Sequence, residues 1–371
     1  MIENSDKREL IDLLRMRGPE LSAKTVTLGF DGFIDSVVKV IRSKGDQHPV
    51  SYFNSPYAFG EYITAKGDKN LSIELETMTT KLGGNMPIMA NAIAQMGPRV
   101  SCLGPLGYPD IHPVFRQMPP NCELHSYADP GITKVLEFRT GKIMLAEMGN
   151  LNNIEWSFIK ETIGIKTFLE LFTKSDLISL LNWSELDNST AIWKGLLDDV
   201  LPKATPSRRP IGFFDLSDCS KRAESSIREA MNLLNAFSQY WNVVLSLNLN
   251  EAAIVCSVLT EKTAGEEDVG KMCEQIFASL KIDTVIIHSS KQAVARDSTL
   301  SIRKTTFIKD PIISSGSGDN FNAGFCIGKL LGLETAMSLE LGHATSSLYM
   351  LSAHSPSVKQ VLEFLEKDTG H

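Results

Sequence analysis

The sequence predicts an α/β fold in which a central, mostly parallel sheet is covered by helices on both faces and a small β-sheet is added. Short apolar runs alternate with helical patterns after about residue 150, and fully apolar strands are typical of a parallel sheet buried on both faces. Polar residues follow the strand ends, where such sheets bind ligands. Segments before residue 150 instead alternate apolar and polar residues, as strands of a half-exposed sheet do.

Composition excludes several classes of function. The 371 residues allow one large α/β domain or a domain with a smaller appendage. A net charge of −7 argues against nucleic acid or an anionic membrane as the main partner. Six scattered cysteines without a C-x-x-C pair indicate reduced thiols, and the charged N-terminus resembles neither a signal peptide nor a membrane span. We therefore expect a cytoplasmic protein.

The first elements place two acids at a strand end. Periodicity predicts a helix over 5–17, a strand over 25–30 and a further β-rich piece over 36–41. Asp31 and Asp35 lie between the two β segments, where an open α/β sheet places ligand contacts. A turn carboxylate that caps the next segment is the alternative interpretation, above all for Asp31.

Alternating segments over 72–80, 122–127, 133–138 and 142–145 predict the small sheet. We predict a lid over the ligand cleft, built from segments near 36–80 and 122–146; a dimer surface is the other use of such a sheet. Between these segments, Gly83-Gly84-Asn85 feeds a helix over 88–96, followed by a strand over 100–104. Paired glycines allow close backbone approach and Asn85 offers a donor and an acceptor to a polyol, although an ordinary strand-to-helix connection has the same pattern.

The second half of the chain supplies the core of the predicted sheet. Apolar runs predict strands over 177–181, 211–215, 243–247 and 284–288. Helical patterns cover 189–200, 221–239, 250–258, 266–280 and 333–352. Polar clusters just past the strands, at 182–185, 215–218, 248–251 and 288–290, mark the ligand-binding edge of the sheet.

The run Gly316-Ser317-Gly318-Asp319 enters an amphipathic helix that should end at Gly332. Small residues before a helix let several amide N–H groups and the helix dipole face a ligand, which suits phosphate. Asp319 stands where a carboxylate could take a proton from a hydroxyl. Ordinary helix capping is the alternative. Neither a phosphate-binding P-loop nor a dinucleotide fingerprint fits this run, because Asp319 and Phe321 occupy required positions.

Four ordered features together resemble the ribokinase-like (PfkB) carbohydrate kinases. They are the Gly-Gly turn with its helix, the stretch 103–110 as the family's G-x-x-G-x-D with one residue inserted before the Asp, Asn248-Leu249-Asn250-Glu251 as its N-x-x-E, and 315–324 as its C-terminal G-A-G-D signature. The resemblance spans residue 24 to the C-terminus. It implies one ribokinase-like domain over 1–371 that transfers phosphate from ATP to a sugar or related alcohol.

The resemblance also implies residue roles. Asp319 would be the general base, and the amides of Gly316, Ser317 and Gly318 would hold the transferring phosphoryl group. The acceptor would be held by Asp35, Gly84 and Asn85, with Asp31 beside them. Asn248 and Glu251 would organise Mg²⁺ and the phosphates, and His288, Ser290 and His343 would border the adenine. Relatives often dimerise through the lid, so a homodimer is an expectation here.

The sequence departs from the family pattern at three places. Ile88 replaces a substrate-binding Asn, the stretch 288–293 replaces the adenine motif, and Ile313 replaces an Asp that helps bind a monovalent cation, with Asp310 out of register. Potassium dependence therefore stays open. A kinase of nucleosides or vitamin-like alcohols, with Tyr52, Phe53 or Tyr57 against the acceptor, is one alternative function. A non-catalytic sugar-binding regulator is another.

Overall fold

The structure, a computed structural model, describes residues 4–45, 48–261, 268–305, 308 and 311–368. The strands described are β1 Thr25–Gly29, β2 Phe33–Gly45, β3 His48–Tyr52, β4 Leu75–Gly83, β5 Arg99–Gly104, β6 Cys122–Ser126, β7 Gly131–Phe138, β8 Gly141–Glu147, β9 Leu177–Leu180, β10 Ile211–Asp215, β11 Asn242–Asn248, β12 Thr284–His288, β13 Gln292–Arg296 and β14 Leu300–Lys304. The helices described are α1 Asn4–Arg17, α2 Pro56–Lys66, α3 Asn85–Gln95, α4 Trp156–Ile163, α5 Ile165–Lys174, α6 Ser189–Gly195, α7 Glu224–Phe237, α8 Leu249–Thr260, α9 Val269–Ser279, α10 Ser317–Leu330, α11 Thr335–Ser352 and α12 Val358–Asp368.

The large sheet is mostly parallel, as predicted. Among the described residues it has nine strands in the order β14-β13-β12-β11-β10-β9-β1-β5-β6. The strands from β12 to β6 pair in parallel, and only the β12–β13 and β13–β14 pairs at one end are antiparallel. The chain winds outward from β1 to β6 and returns on the other side of β1 at β9. Such a reversal opens a crevice at the carboxyl ends of the two strands, which is where ligands bind in this architecture.

Apolar side chains of the central strands fill both faces of the sheet. In β10, Phe213 packs in a core with α1, α3, α10 and α11, while its neighbour Phe214 packs in a second core with α6, α7 and α8. Alternate side chains of a strand point to opposite faces, so the two cores are separated by the sheet. The predicted covering of both faces is confirmed, and it follows from the unbroken apolar strands.

The small sheet stands above the carboxyl edge of the large one. Its order is β3-β2-β7-β8, with β4 paired to the other edge of β2. The chain leaves the large sheet at the end of β1, and β2 begins four residues later. At the start of β2, Phe33 pairs with Gly83 of β4 and with Gly131 of β7, which forms the base of the small sheet. Helix α2 packs Phe59 against Val38, Val40 and Phe138 and closes one face. A separate small sheet was predicted and is confirmed.

One segment assigned to the small sheet lies elsewhere. The segment 122–126 forms β6, which pairs in parallel with β5 at the edge of the large sheet. Its alternating pattern arises because an edge strand packs one side, here Cys122 and Leu124, against the core and leaves the other more open. Alternation is the same for an edge strand and for a lid strand, so the pattern alone could not separate them.

Most predicted elements lie within a few residues of the observed ones. The strand predicted over 211–215 coincides with β10, and α10 ends at Leu330 with Gly332 at a φ of 68° just beyond. The helix predicted over 266–280 is described from Val269, because residues 262–267 lie outside the described part of the chain. In the described ranges, none of the helices combines the length and the apolar character needed to cross a bilayer.

Candidate active site

The amino end of α10 lies at the crevice. Gly316 is its N-cap with a φ of 88°, a conformation that side chains rarely adopt, and a Cβ there would lie 2.9 Å from the Tyr349 hydroxyl. The Tyr349 hydroxyl in turn donates to the Ser315 carbonyl at 2.9 Å. The Ser317 amide donates to the Ser314 carbonyl at 3.2 Å. Helix geometry leaves the amides of Gly318 and Asp319 in the first turn without an intrahelical acceptor. The anion site formed by the amides of Gly316, Ser317 and Gly318 stays a prediction.

Asp319 is the third residue of α10 and is 9% exposed. Burial raises the pKa of its carboxyl well above the usual range, and the nearby carboxylates of Asp215 and Asp31 raise it further. A hydrogen bond from the Asn85 side chain acts in the opposite direction. A carboxylate destabilised in this way is a stronger proton acceptor than one in water, which is what a general base requires.

Asp215 ends β10 and faces Asp319 across the crevice. Its carboxylate accepts the Ser217 amide at 2.9 Å and the Asn322 side-chain amide at 2.7 Å. The Asn322 carbonyl oxygen accepts from the Ser246 hydroxyl at 2.7 Å, so a buried chain of hydrogen bonds ties β11 and α10 to β10. Burial raises the pKa of Asp215. The sequence marked 215–218 as a polar strand end but did not identify Asp215 as a site residue.

Asn248 and Glu251 form a capping box at the start of α8. The Asn248 side chain accepts the Glu251 amide at 2.9 Å, while Glu251 accepts the Asn248 amide at 2.9 Å and its side-chain N–H. Glu251 is 4% exposed, and burial followed by repulsion from Asp215 raises the pKa of its carboxyl to about 8. The N-x-x-E spacing thus places an acid in the first helical turn, one strand away from Asp215.

These groups share one cavity of about 190 Å³. It is lined by Asn85, Asp215, Ser217, Asp218, Asn248, Glu251, His288, Gly318 and Asp319. The cavity therefore joins residues predicted for the acceptor, the metal, the nucleotide and the base. A wider surface depression of about 490 Å³ between α4 and α5 contains no such set, since its Asp199 is held by Lys160 and Trp156.

Two acids sit on the acceptor side, each against a glycine. Asp35 on β2 is 4% exposed, accepts a hydrogen bond from Thr133, and has a pKa raised by burial to about 6. A Cβ on Gly83 would lie 2.2 Å from its Oδ1. A Cβ on Gly84, whose φ is 87°, would lie 2.6 Å from Oδ2 of Asp31. The paired glycines therefore leave space for the carboxylates of Asp35 and Asp31. From the sequence, the same glycines were predicted to leave space for a ligand.

Asp31 caps α3. Its two oxygens accept the amides of Asn85 and Met86, both at 2.8 Å, and Oδ2 also accepts the Asn182 side chain at 2.8 Å. The residue has no exposed surface, and burial raises its pKa to about 6. This is the capping interpretation that the sequence left open, and substrate contact by Asp31 stays a prediction. Asn182 lies two residues beyond the end of β9, in the polar cluster 182–185 that the sequence marked without identifying Asn182 as a site residue. Its buried Oδ1 accepts no protein hydrogen bond within the described ranges.

The residues predicted to border the adenine divide into two groups. His288 and His343 flank Phe321 at ring-centroid distances of 5.0 and 5.2 Å. Burial lowers the pKa of each imidazole to about 4, so both are neutral near pH 7 and offer flat apolar faces. Ser290 instead is exposed in the turn between β12 and β13. Asp310, which bears on the potassium question, lies outside the described residues.

The aromatic residues considered for a nucleoside acceptor lie away from the cavity. Phe53 is buried in the small-sheet core against Phe59, and Tyr57 on α2 is 74% exposed. Tyr52 pairs with Ile41, six residues along β2 from Asp35, and Lys39 covers its ring. None of the three lines the cavity that contains Asp319.

Comparison with known proteins gives one consistent family. A family model described as prokaryotic ketohexokinase matches residues 5–368. A ketohexokinase of Haloferax volcanii is 26% identical over 347 residues, which cover 91% of this chain and 90% of that protein. The solved ribokinase of Thermotoga maritima has a TM-score of 0.62 at 18% identity and covers 92% of this chain and 99% of its own. The nucleoside kinase of Burkholderia thailandensis bound to inosine has a TM-score of 0.62 at 15% identity, covering 94% and 99%.

Proposed function

The chain belongs to the prokaryotic ketohexokinase family and is a sugar kinase of ribokinase-like fold, and on that premise we propose that it transfers phosphate from ATP to a hydroxyl of a ketohexose. The single observation that carries the proposal is the cavity in which Asp319, the first-turn amides of α10 and the acids Asp215 and Glu251 come together. The choice of a ketohexose as the acceptor rests on the name of the relative, and the proposed phosphate transfer rests on the residues of the cavity.

Asp319 is the proposed general base. Its raised pKa supports proton acceptance from the attacking hydroxyl, and the Asn85 hydrogen bond fixes the orientation of its carboxylate. Gly318 and Asp319 line the same cavity, and their amides belong to the positive end of the α10 dipole, where negative charge on the transferring phosphoryl group is stabilised. Base and anion site belong to one helical turn, so the hydroxyl and the phosphoryl group are brought together by the same element.

Asp35, Gly84 and Asn85 are the proposed acceptor contacts. Asp35 is buried at the base of the small sheet, and Asn85 begins α3 with its side chain on Asp319. A carboxylate accepts hydrogen bonds from sugar hydroxyls, and bonds of this charge-assisted kind are the stronger ones. The small sheet acts as the lid in this proposal, because its first strand carries Asp35 over the crevice.

The donor set fits Mg²⁺ bound with ATP. Asp215, Asp218, Asn248 and Glu251 present oxygen atoms to one cavity. Burial followed by repulsion from Asp215 raises the pKa of Glu251 to about 8, so a bound cation would favour its ionised form. In the described ranges no three acids, histidines or cysteines are close enough to chelate a metal directly. Mg²⁺ keeps several waters and binds through few carboxylates plus phosphates, so this wider arrangement suits it. When bound, the cation neutralises phosphate charge.

We expect Glu251→Gln to raise the Mg²⁺ concentration that gives half-maximal activity, because the substitution removes one negative charge beside the metal and phosphate site. Gln can keep the capping box, so the thermal midpoint should be preserved. The measurement is a Mg²⁺ titration of activity at saturating ATP. Glu224→Gln, an exposed acid in the first turn of α7, is the control and should titrate like the wild type. An unchanged titration of Glu251→Gln would contradict the metal role.

The function is tested by an ATP-coupled assay on a panel of ketohexoses, aldoses, pentoses and nucleosides. The proposal expects the highest kcat/KM with a ketohexose and a sugar phosphate as product. If only nucleosides are phosphorylated, the acceptor is a nucleoside and not a ketohexose. Sugar binding without turnover of any acceptor would favour the regulatory alternative.

A homodimer through the small sheet is a further part of the proposal. Met78, Ile132, Met144 and Leu145, on three strands of this sheet, are each more than two-fifths exposed. Ile132 and Leu145 lie on the same face, where exposed large apolar side chains can contact a second copy of the chain. We expect light scattering to give twice the mass of the chain, and Leu145→Glu to shift the protein toward the monomer. A monomeric wild type at assay concentration would rule this part out.

A further inference from the structure

Two lysines of the small sheet face the same side as Asp35. Lys81 on β4 is the direct cross-strand partner of Asp35, and Lys142 on β8 partners Glu137, which is level with Lys39 of β2. Direct partners project to the same face of a sheet, and residues two apart along a strand do so as well. Asp35, Lys81, Glu137 and Lys142 therefore lie on one face, the face that carries Asp35 toward Asp319.

Among the described residues, neither lysine ammonium makes a hydrogen bond or a close ion pair. Both side chains are partly buried, yet within the described ranges neither ammonium lies within 4.0 Å of a carboxylate or donates a hydrogen bond. Neighbouring lysines differ in this respect. Lys39 lies 5.2 Å from the Tyr52 ring centroid, and Lys134, on the opposite face, donates to the Ser36 hydroxyl at 3.3 Å. A half-buried ammonium without a contact loses hydration, so a compensating charge at longer range is needed.

Asp35 supplies that compensating charge, and the two lysines in turn stabilise the ionised form of Asp35. Burial opposes the ionised form of Asp35, and Lys81 followed by Lys142 is the largest influence that favours it. Burial lowers the pKa of both lysines while Asp35 raises it. The other charged groups on this face are Lys39 of β2 and its cross-strand partners, Glu76 of β4 and Glu137 of β7. Asp35 also raises the pKa of Asp319 on α10 and of Tyr349 on α11. Lys39 has Glu76 and Glu137 as its own cross-strand partners, so Lys81 and Lys142 are the cations that offset the charge of Asp35.

We propose that Lys81 and Lys142 are positioning residues that keep Asp35 ionised, so that the acceptor subsite selects an uncharged polyol whose hydroxyls donate to Asp35. The inference rests on the proposed function, since it concerns the acceptor of that kinase. Charge balance supports it: the three lysines of this face, Lys39, Lys81 and Lys142, stand with three acids, Asp35, Glu76 and Glu137, which leaves no surplus positive charge for an anionic group on the sugar. A second pair of acids, Asp319 and Asp215, borders the same crevice and would repel such a group.

The test is the pH dependence of KM for the ketohexose in Lys81→Met, Lys142→Met and the wild type. With Asp35 at a pKa of about 6 in the wild type, KM should rise as the pH falls below about 6. Removing Lys81 should move this rise to higher pH by up to one unit, which makes KM about fivefold larger near pH 6, about tenfold larger well below pH 6 and no different near pH 9. Lys142→Met should give a smaller shift, and kcat should change little in both.

Two variants complete the design. Lys81→Arg keeps the charge and should restore the wild-type profile, whereas Lys134→Met on the opposite face should leave it unaltered. A KM in Lys81→Met that is raised equally at every pH would overturn the inference, because it would indicate a direct sugar contact. An unchanged profile would also overturn it. So would a wild type that prefers phosphorylated or carboxylated sugars and loses only these in the lysine variants. Failure of the wild type to phosphorylate any sugar would instead refute the proposed function itself.

Discussion

Asp319→Asn is expected to lower kcat by about 10²–10⁴, the range that loss of a general base gives, while the dissociation constants for sugar and ATP change by no more than a few-fold. Asparagine has nearly the same shape and can still hydrogen-bond Asn85, but it cannot accept the proton of the attacking hydroxyl. Because Asp215 and burial destabilise the charge of Asp319, removing that charge should not lower the thermal midpoint. Loss of turnover can then be separated from loss of folding.

The pH profile sharpens this experiment. In the wild type, kcat should fall on the acidic side as Asp319 becomes protonated, and the raised pKa of Asp319 places this fall well above the pH expected of an ordinary aspartate. The acidic limb should be absent from the residual activity of Asp319→Asn. Wild-type turnover in the variant, or an unchanged acidic limb, would remove Asp319 from the mechanism.

Gly83→Ala is expected to raise KM for the sugar by roughly 10- to 100-fold, the equivalent of losing a charged hydrogen bond of about 1.5–3 kcal/mol. The added Cβ would lie 2.2 Å from Oδ1 of Asp35, and Gly83 is fixed opposite Phe33 by the β2–β4 pairing. The carboxylate must therefore leave its position. KM for ATP should be unchanged, since the atoms nearest to a Cβ on Gly83 all belong to Asp35, whereas His288 and His343 pack against Phe321.

Gly60→Ala is the matched control for this substitution. Gly60 lies inside α2, the helix that packs on the small sheet, and a Cβ there would meet no atom within 4 Å. Alanine also favours the helix by up to about 1 kcal/mol over glycine, so the control should be at least as stable as the wild type. A sugar KM that stays normal in Gly83→Ala would show that Asp35 is not an acceptor contact.

The sequence could predict those parts of the fold that depend on local patterns. Strands such as β10 and β12 are short apolar runs bounded by polar residues, and their boundaries were predicted within a residue or two. Strand β6 was misplaced because its alternation is shared by edge strands and lid strands. For the site, Asp319, Asn248 and Glu251 could be identified because each belongs to a motif tied to a helix start.

Other parts of the site depend on contacts between distant residues, and no local pattern contains them. The hydrogen bond between Asp215 and Asn322 joins positions 107 apart in sequence. Asp31 could not be separated into cap or ligand contact until its partners, Asn85, Met86 and Asn182, were brought to it by β9 and α3. The pairing of Lys81 with Asp35 similarly depends on the register of β4 against β2.

The most direct test of the central claim is a crystal structure of the protein with a ketohexose, Mg²⁺ and a non-hydrolysable ATP analogue. The account predicts one sugar hydroxyl within about 3 Å of an Asp319 carboxylate oxygen, the distance that proton abstraction needs. The same hydroxyl should point toward a terminal phosphate held by the Gly318 and Asp319 amides. A sugar bound with its hydroxyls beyond hydrogen-bond reach of Asp319, or a phosphate placed away from these amides, would contradict it.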